Sequence, residues 1–434
     1  MAYIIRKIAI KGFLGYKDIN IELNPGVNFL IGRNGTGKTT FIKLLHTVLE
    51  MDQANFSNYK FDEITITYFD DETSNSPQLK IERIDRRRNL YRYHFRHKGN
   101  EKLRTFSDDR SEVFDPFEFA RNQKEYQAKL RIRNQYINEL RSSFKNHIKL
   151  SWLPLGRTTD GARHYFDEED GTEYYRDPID NKITEIINQM TSYLSILDSR
   201  AATETKRFQE AYFLSLLSFK APEVGRIIKD ANRLNLPSQQ EAMASILSEM
   251  GLSGDSITQE IGAFYARAKA AAKNVDKPGP GLRVEDIFAV ADFIRLEDIV
   301  ERFKKYEEKK RSILKPKDDL ASLMSSMLLN KEFLFSEANQ PVIFNKITKS
   351  NMNINDLSSG EKQIFIIFSE TLLQNRERYI FLADEPELSL HIDWQETLVS
   401  NIRKLNDQCQ IIFATHSPDV VSVYQNCIID FEKL

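Results

Sequence analysis

The sequence predicts an α/β fold in which a parallel sheet carries a site along one edge. Three short apolar runs have the length and composition of buried strands, and polar, chemically active residues follow each of them directly. The three runs are Val27–Ile31, Tyr379–Ala383 and Gln410–Ala414. Because the carboxyl ends of parallel strands meet at the same edge of a sheet, we expect the residues that follow them to lie together.

Length, charge and cysteine content limit the number of structural units, the class of partner and the cellular compartment that we expect. The 434 residues exceed what one hydrophobic core usually serves, which predicts two or three structural units. The 61 Lys and Arg residues nearly balance the 63 Asp and Glu residues, so the net charge of −2 gives no global indication of a nucleic-acid or membrane partner. Two cysteines, Cys409 and Cys427, are typical of a reducing compartment. We see no signal peptide or apolar stretch that could span a membrane, and expect a cytoplasmic location.

The first apolar run leads into a glycine-rich loop that matches G-x-x-x-x-G-K-[ST], followed by a predicted helix from Thr40 to Leu49. Backbone N–H groups of such a loop surround phosphate oxygens, and the helix N-terminus adds a favourable dipole. We predict that Lys38 reaches the β- and γ-phosphates of ATP and that the Thr39 hydroxyl binds Mg²⁺. The predicted nucleotide-binding residues of this loop are Gly32, Arg33, Asn34, Gly35, Thr36, Gly37, Lys38, Thr39 and Thr40.

The other two runs supply acidic and basic groups. Asp384 and Glu385 follow the second run, where an acidic pair would be costly without a cation. We predict that Asp384 binds Mg²⁺ and that Glu385 is the catalytic base that polarises the attacking water. His416 follows the third run and is predicted to contact the γ-phosphate, so the predicted catalytic residues are Glu385, His416 and Lys38.

A fourth motif, LSSGEKQ at Leu357–Gln363, opens a helix predicted to run to about Leu373. With it the sequence resembles the ABC ATPase superfamily, within the branch that includes SMC, Rad50, RecF and OLD-type proteins. The resemblance implies an ABC ATPase head with a mixed sheet and a P-loop core. It also implies that the motif caps the ATP held by a second copy of the chain, so that a homo-oligomer, at least a dimer, forms around composite ATP sites. The signature residues that would do so are Ser358, Ser359, Gly360 and Glu361.

The resemblance covers roughly residues 1–105 and 330–434. Ile380–Glu385 corresponds to the Walker B strand, Glu387–His391 to the D-loop, and His416 to the switch histidine of the family. Ser359 replaces the first glycine of the commoner LSGG form, and the glutamine of the Q-loop cannot be placed by spacing.

Between the motifs, alternating residues predict strands at Glu63–Phe69, Leu79–Ile84 and Leu90–His97 in an antiparallel sheet. The segment Arg83–Lys98 is rich in arginine and aromatic residues. One interpretation is a nucleic-acid or acidic-protein contact. The other is a solvated sheet face with its aromatic side chains packed beneath, and the sequence alone leaves both open.

The remaining middle region predicts helices. We expect a helical stretch at 116–150, a return strand and turn at Trp152–Arg157, and a short antiparallel helical or coiled-coil arm. The arm would occupy residues 181–330, with a tip near 221–285 that includes the turn Pro278–Gly281. The predicted domains are 1–105 and 106–180 in the head, 181–330 in the arm, and 331–434 in the C-terminal head.

The family resemblance suggests two functions. Compact OLD-type relatives are ATPase subunits of two-gene antiviral systems of prokaryotes, such as PARIS, Septu and retron-linked systems. Because the sequence ends 18 residues after His416 with no TOPRIM domain, we expect no nuclease in this chain and a separate TOPRIM or HNH effector nuclease as partner. The alternative is a RecF- or SMC-like repair ATPase that contacts DNA through Arg83–Lys98. A transporter ATPase is a third, weaker hypothesis.

Overall fold

The computed structural model describes residues 2–69, 76–85, 90–96, 104–107, 147–153, 164–166, 173–175, 178–217, 236–249, 254–276 and 283–434. The chain divides into two compact units. Met1–Thr191 and Asp319–Leu434 form the first, and Ser192–Asp318 form the second.

The elements are numbered in chain order within the described residues. The strands are β1 (Ile4–Phe13), β2 (Lys17–Glu22), β3 (Val27–Ile31), β4 (Glu63–Phe69), β5 (Gln78–Asp85), β6 (Leu90–Arg96), β7 (Arg104–Ser107), β8 (Leu150–Leu153), β9 (His164–Phe166), β10 (Glu173–Tyr175), β11 (Lys331–Phe335), β12 (Pro341–Asn345), β13 (Ser350–Met352), β14 (Ile380–Asp384), β15 (Gln410–Ala414) and β16 (Ile428–Asp430). The helices are α1 (Lys38–Leu49), α2 (Pro178–Leu217), α3 (Leu236–Glu249), α4 (Asp255–Asp276), α5 (Val284–Met327), α6 (Ser359–Leu373), α7 (Ile392–Leu405) and α8 (Pro418–Val421).

A parallel sheet forms the centre of the first unit, with the strand order β16-β3-β15-β14-β8. All of its neighbouring strands run parallel, and every residue of β14 and β15 is buried. Continuous apolar runs form such strands because both faces of the sheet are covered. Register pairs Ala414 with Leu30 on one side and with Asp384 on the other. The carboxyl ends of β3, β14 and β15 therefore meet at one edge, as the sequence predicts.

An antiparallel sheet packs beside it, with the order β2-β1-β4-β5-β6-β7. In β4 and β6 buried residues alternate with half-buried ones, which is the pattern of a sheet covered on one face. The buried side chain of Gln410 links the two sheets, because its Oε1 accepts from Ile5 N at 2.8 Å and its Nε2 donates to Ile5 O at 2.7 Å. Helix α1 packs into the same apolar core.

The described part of the segment Arg83–Lys98 has the arrangement of a solvated sheet face with aromatic side chains packed beneath. Tyr91, Tyr93 and Phe95 are buried beneath β6. On the opposite face, His94 Nε2 lies 3.3 Å from Glu82 Oε2 and Arg96 Nη2 donates to Gln78 at 3.4 Å. Arg83 Nη2 donates to Tyr59 O at 2.9 Å and to the Tyr91 hydroxyl at 2.7 Å. Arg86, Arg87, Arg88 and Lys98 lie outside the described residues.

The second unit is helical. It contains α3, α4 and the parts of α2 and α5 that fall within 192–318. Phe208 stacks on Tyr306 with ring centroids 5.0 Å apart, and Phe303 packs with both. Pro316 lies inside α5 and removes one backbone N–H donor from that helix. The helical insertion agrees with the predicted arm, while the exact domain boundaries stay a prediction.

Several sequence predictions fall on residues that the structure does not describe: the helix before 147, the turn Pro154–Arg157, the turn Pro278–Gly281 and the start of the tip at 221–235. The return strand itself is present as β8, and it begins at Leu150, which the sequence assigned to the preceding helix. Helix α1 begins at Lys38, two residues before the predicted start, because the last glycine of the loop precedes it directly. No helix in the described part of the chain is both long and apolar enough to cross a bilayer.

Candidate active site

The loop between β3 and α1 depends on glycine at three positions. Gly32, Gly35 and Gly37 have φ angles of 146°, 86° and 97°, a region that other residues rarely adopt. A side chain at Gly37 would also lie 2.9 Å from the Phe13 ring and 3.1 Å from Leu14. The loop residues Arg33, Asn34 and Gly35 are exposed, so this part of the loop is accessible to an anion.

Lys38 is the one cation that folds back into this loop among the contacts described. Its Nζ donates to Gly32 O at 2.7 Å and to Arg33 O at 3.2 Å, and the residue is only 6% exposed. Burial lowers the pKa of Lys38, while the charges of Glu385 and Asp384 oppose that fall. A buried ammonium held by two carbonyls gains strongly from an anion placed beside it.

Thr39 and Asp384 meet across 345 positions of sequence. Thr39 Oγ1 donates to Asp384 Oδ1 at 3.1 Å. The other carboxylate oxygen, Asp384 Oδ2, is buried and has no hydrogen-bond partner, and the residue is 2% exposed. Burial raises the pKa of Asp384, and the hydrogen bond from Thr39 only partly offsets that rise. A buried carboxylate oxygen without a partner is the atom that a cation would satisfy.

Glu385 and His416 follow neighbouring strands. Glu385 has a φ of 49°, and its backbone N–H donates to Ala414 O at 2.8 Å. Such left-handed conformations in non-glycine residues are costly and cluster at active sites. The side chain of Glu385 is half-buried, and His416 is exposed at the end of β15. Both side chains therefore lie at the predicted edge with access to solvent.

The signature residues form a capped helix start. Ser358 is the N-cap of α6, and its backbone N–H and hydroxyl both donate to Glu361 Oε2 at 2.9 Å. Lys331 Nζ donates to the two carboxylate oxygens of Glu361 at 2.6 and 2.8 Å. Burial alone would raise the pKa of Glu361, but the hydrogen bonds from Lys331 and Ser358 outweigh it and leave the pKa lowered.

Gly360 contacts the segment that follows β14. A side-chain carbon at Gly360 would collide with the carbonyl oxygen of Ser389, a residue with a φ of 66°. Glycine is therefore required at this position for a close backbone approach, which is a packing reason for the Ser-Gly pair at 359 and 360. The signature helix and the predicted D-loop touch within one chain.

The structure thus brings the predicted loop, acidic and histidine residues together at one sheet edge, and the signature residues make no described contact with that loop. Loop residues 32–40, Asp384, Glu385 and His416 share the carboxyl edge of the parallel sheet. Within the described residues, the side chains of Ser358 and Glu361 bond to each other and Glu361 bonds to Lys331, while Ser358 O accepts from Lys362 N. None of these contacts reaches loop 32–40.

No predicted motif includes Lys331 or Glu432, and Glu387 is predicted only as the first residue of the D-loop. Glu387 Oε1 accepts from Thr415, His416 and Ser417, Lys331 neutralises Glu361, and Glu432 Oε1 accepts from Arg33 N at 2.7 Å. The spacing Ser-x-x-Glu at Ser358 could have revealed the capping box. Lys331 and Glu432 give no local signal, because their partners are distant in sequence.

Comparison with known proteins gives one family and a set of distant structures. The model of the family described as AAA ATPase domain matches residues 4–421. The Smc head domain of Pyrococcus furiosus, solved with an extended coiled coil and bound to the C-terminal domain of ScpA, has 13% identity and a TM-score of 0.41, covering 96% of this chain and 91% of that chain. The Smc head domain of Pyrococcus yayanosii, with a coiled coil and joint, has 15% identity and a TM-score of 0.36, covering 96% and 93%. A SmcHead bound to the C-winged helix domain of ScpA has 11% identity and a TM-score of 0.39, covering 96% and 90%.

Proposed function

Because this chain belongs to the AAA ATPase domain family, we propose that it hydrolyses Mg²⁺-bound ATP at a site that a second copy of the chain completes. We further propose that the paired, ATP-bound form controls a separate effector nuclease in antiviral defence. The single observation that supports the catalytic proposal most strongly is Asp384, a buried carboxylate with one oxygen free beside the Thr39 hydroxyl.

The residues present fit Mg²⁺. Magnesium is commonly held by one or two carboxylates together with phosphate oxygens and water, and Asp384 with Thr39 supplies the protein's share of such a set. The described residues contain no cluster of three or more His, Cys, Asp or Glu that could bind a metal without a phosphate. Bound there, Mg²⁺ would offset the charge of the β- and γ-phosphates and polarise the phosphate that is transferred to water.

The other roles follow from position. Backbone N–H groups of the loop and the N-terminus of α1 bind the phosphates, and Lys38 exchanges its carbonyl partners for phosphate oxygens. Glu385 orients the attacking water and accepts its proton, and His416 donates a hydrogen bond to the γ-phosphate. These assignments use residues that share one sheet edge, so no large movement within the chain is required for them.

The second copy would supply the N-terminus of α6. Ser358 and Gly360 lie at that terminus, and they have no described contact with the loop of their own chain. A helix N-terminus favours a negative charge, which suits the γ-phosphate of an ATP bound by a partner. We therefore propose a homo-oligomer, at least a dimer, with two such sites in each pair.

The effector-control proposal rests on the resemblance to ATPase subunits of two-gene antiviral systems. The helical unit at 192–318 is a compact unit of its own, and we propose it as a candidate surface for the effector. In this proposal, ATP-dependent pairing selects one arrangement of the chain, and hydrolysis by Glu385 releases it.

Native mass spectrometry of the protein purified from its own host tests both the composite ATP site and the control of an effector nuclease. Wild type and Glu385→Gln are compared with ATP and Mg²⁺, and Glu396→Gln, an exposed glutamate on α7, is the matched control. We expect Glu385→Gln to accumulate as an ATP-bound homo-oligomer that carries a second protein with a TOPRIM or HNH domain. A protein that stays monomeric in all three forms contradicts the composite site, and a bare dimer contradicts effector control.

A DNA-repair function is the second candidate, since Arg92 and Arg96 lie on the face of β6 opposite the buried aromatic rings. It predicts that duplex DNA stimulates ATP hydrolysis and that binding weakens steeply with salt. A triple Ala variant at Arg86, Arg87 and Arg88, compared with Lys7→Ala as control, should then lose DNA affinity. Unchanged affinity removes the main sequence support for this candidate.

A further inference from the structure

We propose that Glu387 is a positioning residue for hydrolysis, whose carboxylate fixes the backbone that carries His416 and so sets where that imidazole stands. The inference rests on the proposed function, because it concerns the same site. It assigns a role to a residue that neither the loop motif nor the acidic pair after β14 includes.

The contact is dense and specific. Glu387 Oε1 accepts hydrogen bonds from Thr415 Oγ1 at 2.7 Å, from His416 N at 2.9 Å and from Ser417 N at 3.3 Å. The donors belong to three consecutive residues, so one carboxylate oxygen defines the path of the chain as it leaves β15. Hydrogen bonds to an ionised acceptor are about twice as strong as neutral ones.

The imidazole has no other support within the described residues. His416 is exposed, and no hydrogen bond or ion pair of its ring is described. Its placement therefore depends on its own backbone, which Glu387 holds. Catalytic side chains act efficiently only when their position is fixed to a fraction of an ångström.

A separate anchor holds the next residue. Ser417 Oγ donates to Gln395 Oε1 at 2.6 Å and accepts from Asp419 N at 3.1 Å at the start of α8. Loss of the Glu387 carboxylate would consequently free His416 while Ser417 stays tied to α7. The expected change is local, and the fold of the first unit should survive it.

The carboxylate also lies among the charges of the site. Glu387 Oε2 is buried without a hydrogen-bond partner. Burial lowers the pKa of Lys38, and Glu387 is one of the carboxylates whose charge opposes that fall. The role of the charge must therefore be separated from the role of the hydrogen-bond acceptor. Glu387→Gln does so, because its amide oxygen can still accept from the loop.

Hydrogen exchange of the nucleotide-free protein tests the structural half. In Glu387→Ala we expect the amide of His416 to exchange at least about 10-fold faster than in wild type, since a charged acceptor is lost. The amide of Ser417 should change less, because it also donates to Thr415 Oγ1 at 3.0 Å. In Glu387→Gln they should remain protected, and Glu396→Ala should leave them unchanged. Unchanged exchange at His416 in Glu387→Ala overturns the proposal, whatever the ATPase activity shows.

Steady-state kinetics tests the functional half. We expect Glu387→Ala to lower kcat about 100-fold while KM for ATP changes less than about 2-fold, because a misplaced group costs rate rather than binding. Glu387→Gln should retain most of the wild-type kcat. In a His416→Ala background, Glu387→Ala should cause no further loss, since two residues that act through one group are not additive.

Contrary outcomes are equally distinct. An independent, multiplicative loss in the His416→Ala background would mean that Glu387 does not act through His416. A Glu387→Gln variant with protected amides but the activity of Glu387→Ala would assign the effect to charge. If wild type hydrolyses no ATP, the proposed function fails, while hydrogen exchange still decides whether Glu387 holds the loop.

Discussion

The N-termini of α1 and α6 differ in whether side chains cap their backbone N–H groups. Gly37 precedes α1 with no side-chain cap, and the first turn of α1 contains no acidic residue. Ser358 caps α6 in a reciprocal pair with Glu361, and Lys331 neutralises the carboxylate. One helix start keeps its backbone donors free, and the other has side-chain partners within its own chain.

In the proposed function, this difference would give one chain two unlike phosphate sites. The one at α1 would bind phosphate by itself, and the one at α6 would need a partner copy. Free N–H groups and a buried lysine make the α1 terminus able to bind an anion alone. At α6 the Glu361 carboxylate already occupies the favourable end of the helix dipole, and a phosphate must share that end with it. In the proposed composite site, binding at α6 would depend on a partner copy that brings its own Mg²⁺-bound ATP.

The largest expected effect is on kcat, from a substitution of the proposed catalytic base Glu385. Glu385→Gln should lower kcat about 100- to 10,000-fold through loss of the base, with nucleotide affinity unchanged. Single-turnover hydrolysis and equilibrium binding of a fluorescent ATP analogue measure the two quantities, with Glu396→Gln as control. Wild-type turnover in Glu385→Gln would show that another group is the base.

The α1 terminus should depend on its lysine. Lys38→Ala removes charge-assisted hydrogen bonds to phosphate and should weaken ATP binding by about 2 kcal/mol, roughly 30-fold in Kd. Calorimetric titration measures the change, with Lys7→Ala, a half-buried lysine of β1, as control. Equal affinity in both variants would mean that the loop backbone alone binds the phosphates.

The α6 terminus should instead respond to pH through its ion pair. The lowered pKa of Glu361 means that its stabilising contribution is present above the ordinary value of 4.5 and is lost as pH falls through the lowered folded value. Lys331→Met should cost about 1.5 kcal/mol in unfolding free energy at pH 7, with the difference from wild type shrinking below about pH 4.5. Urea unfolding at both pH values measures this, with Lys346→Met as control. A difference that grows on acidification contradicts the assignment.

The smallest effect is expected from the cap itself. Ser358→Ala should reduce stability by about 1 kcal/mol and leave ATP binding by the monomer unchanged. Hydrolysis by the oligomer should fall about 10-fold, since a hydrogen bond to a charged phosphate is removed. Asn353→Ala, which removes a similar cap from the 3₁₀ turn Ile354–Asp356, is the matched control. If both variants lose hydrolysis equally, the loss reflects stability and not the phosphate.

Much of the sheet edge could be predicted from the sequence, because its signals are local. Val27–Ile31 and Gln410–Ala414 are strands with the predicted bounds, since each apolar run is buried on both faces and ends at polar residues. The loop motif also predicts a helix directly after it, and α1 is present there, although it starts at Lys38 and not at Thr40. The glycine at 37 marks that start.

The contacts that give these motifs their geometry were not predictable in the same way. Glu387 was assigned to the D-loop, but its hydrogen bonds to Thr415 and His416 depend on how β14 and β15 pair. Lys331 lies 30 positions from Glu361, and no periodicity links them. Gly360 was predicted as a phosphate contact, while its closeness to Ser389 follows only from tertiary packing. Such contacts form only in the folded chain, and no local sequence pattern predicts them.

The hydrogen bond between Thr39 and Asp384 also bears on how the protein is made. Its two residues are 345 positions apart, so a growing chain presents the phosphate loop long before the carboxylate is synthesised. Central strands β14 and β15 are equally late, and non-local parallel pairing is slow to form. A nascent or truncated chain therefore exposes apolar β3 without its neighbours and lacks Asp384, the proposed magnesium ligand. In the proposed mechanism, ATP turnover would begin only after β14 joins the sheet, so an incomplete chain would not act as an ATPase.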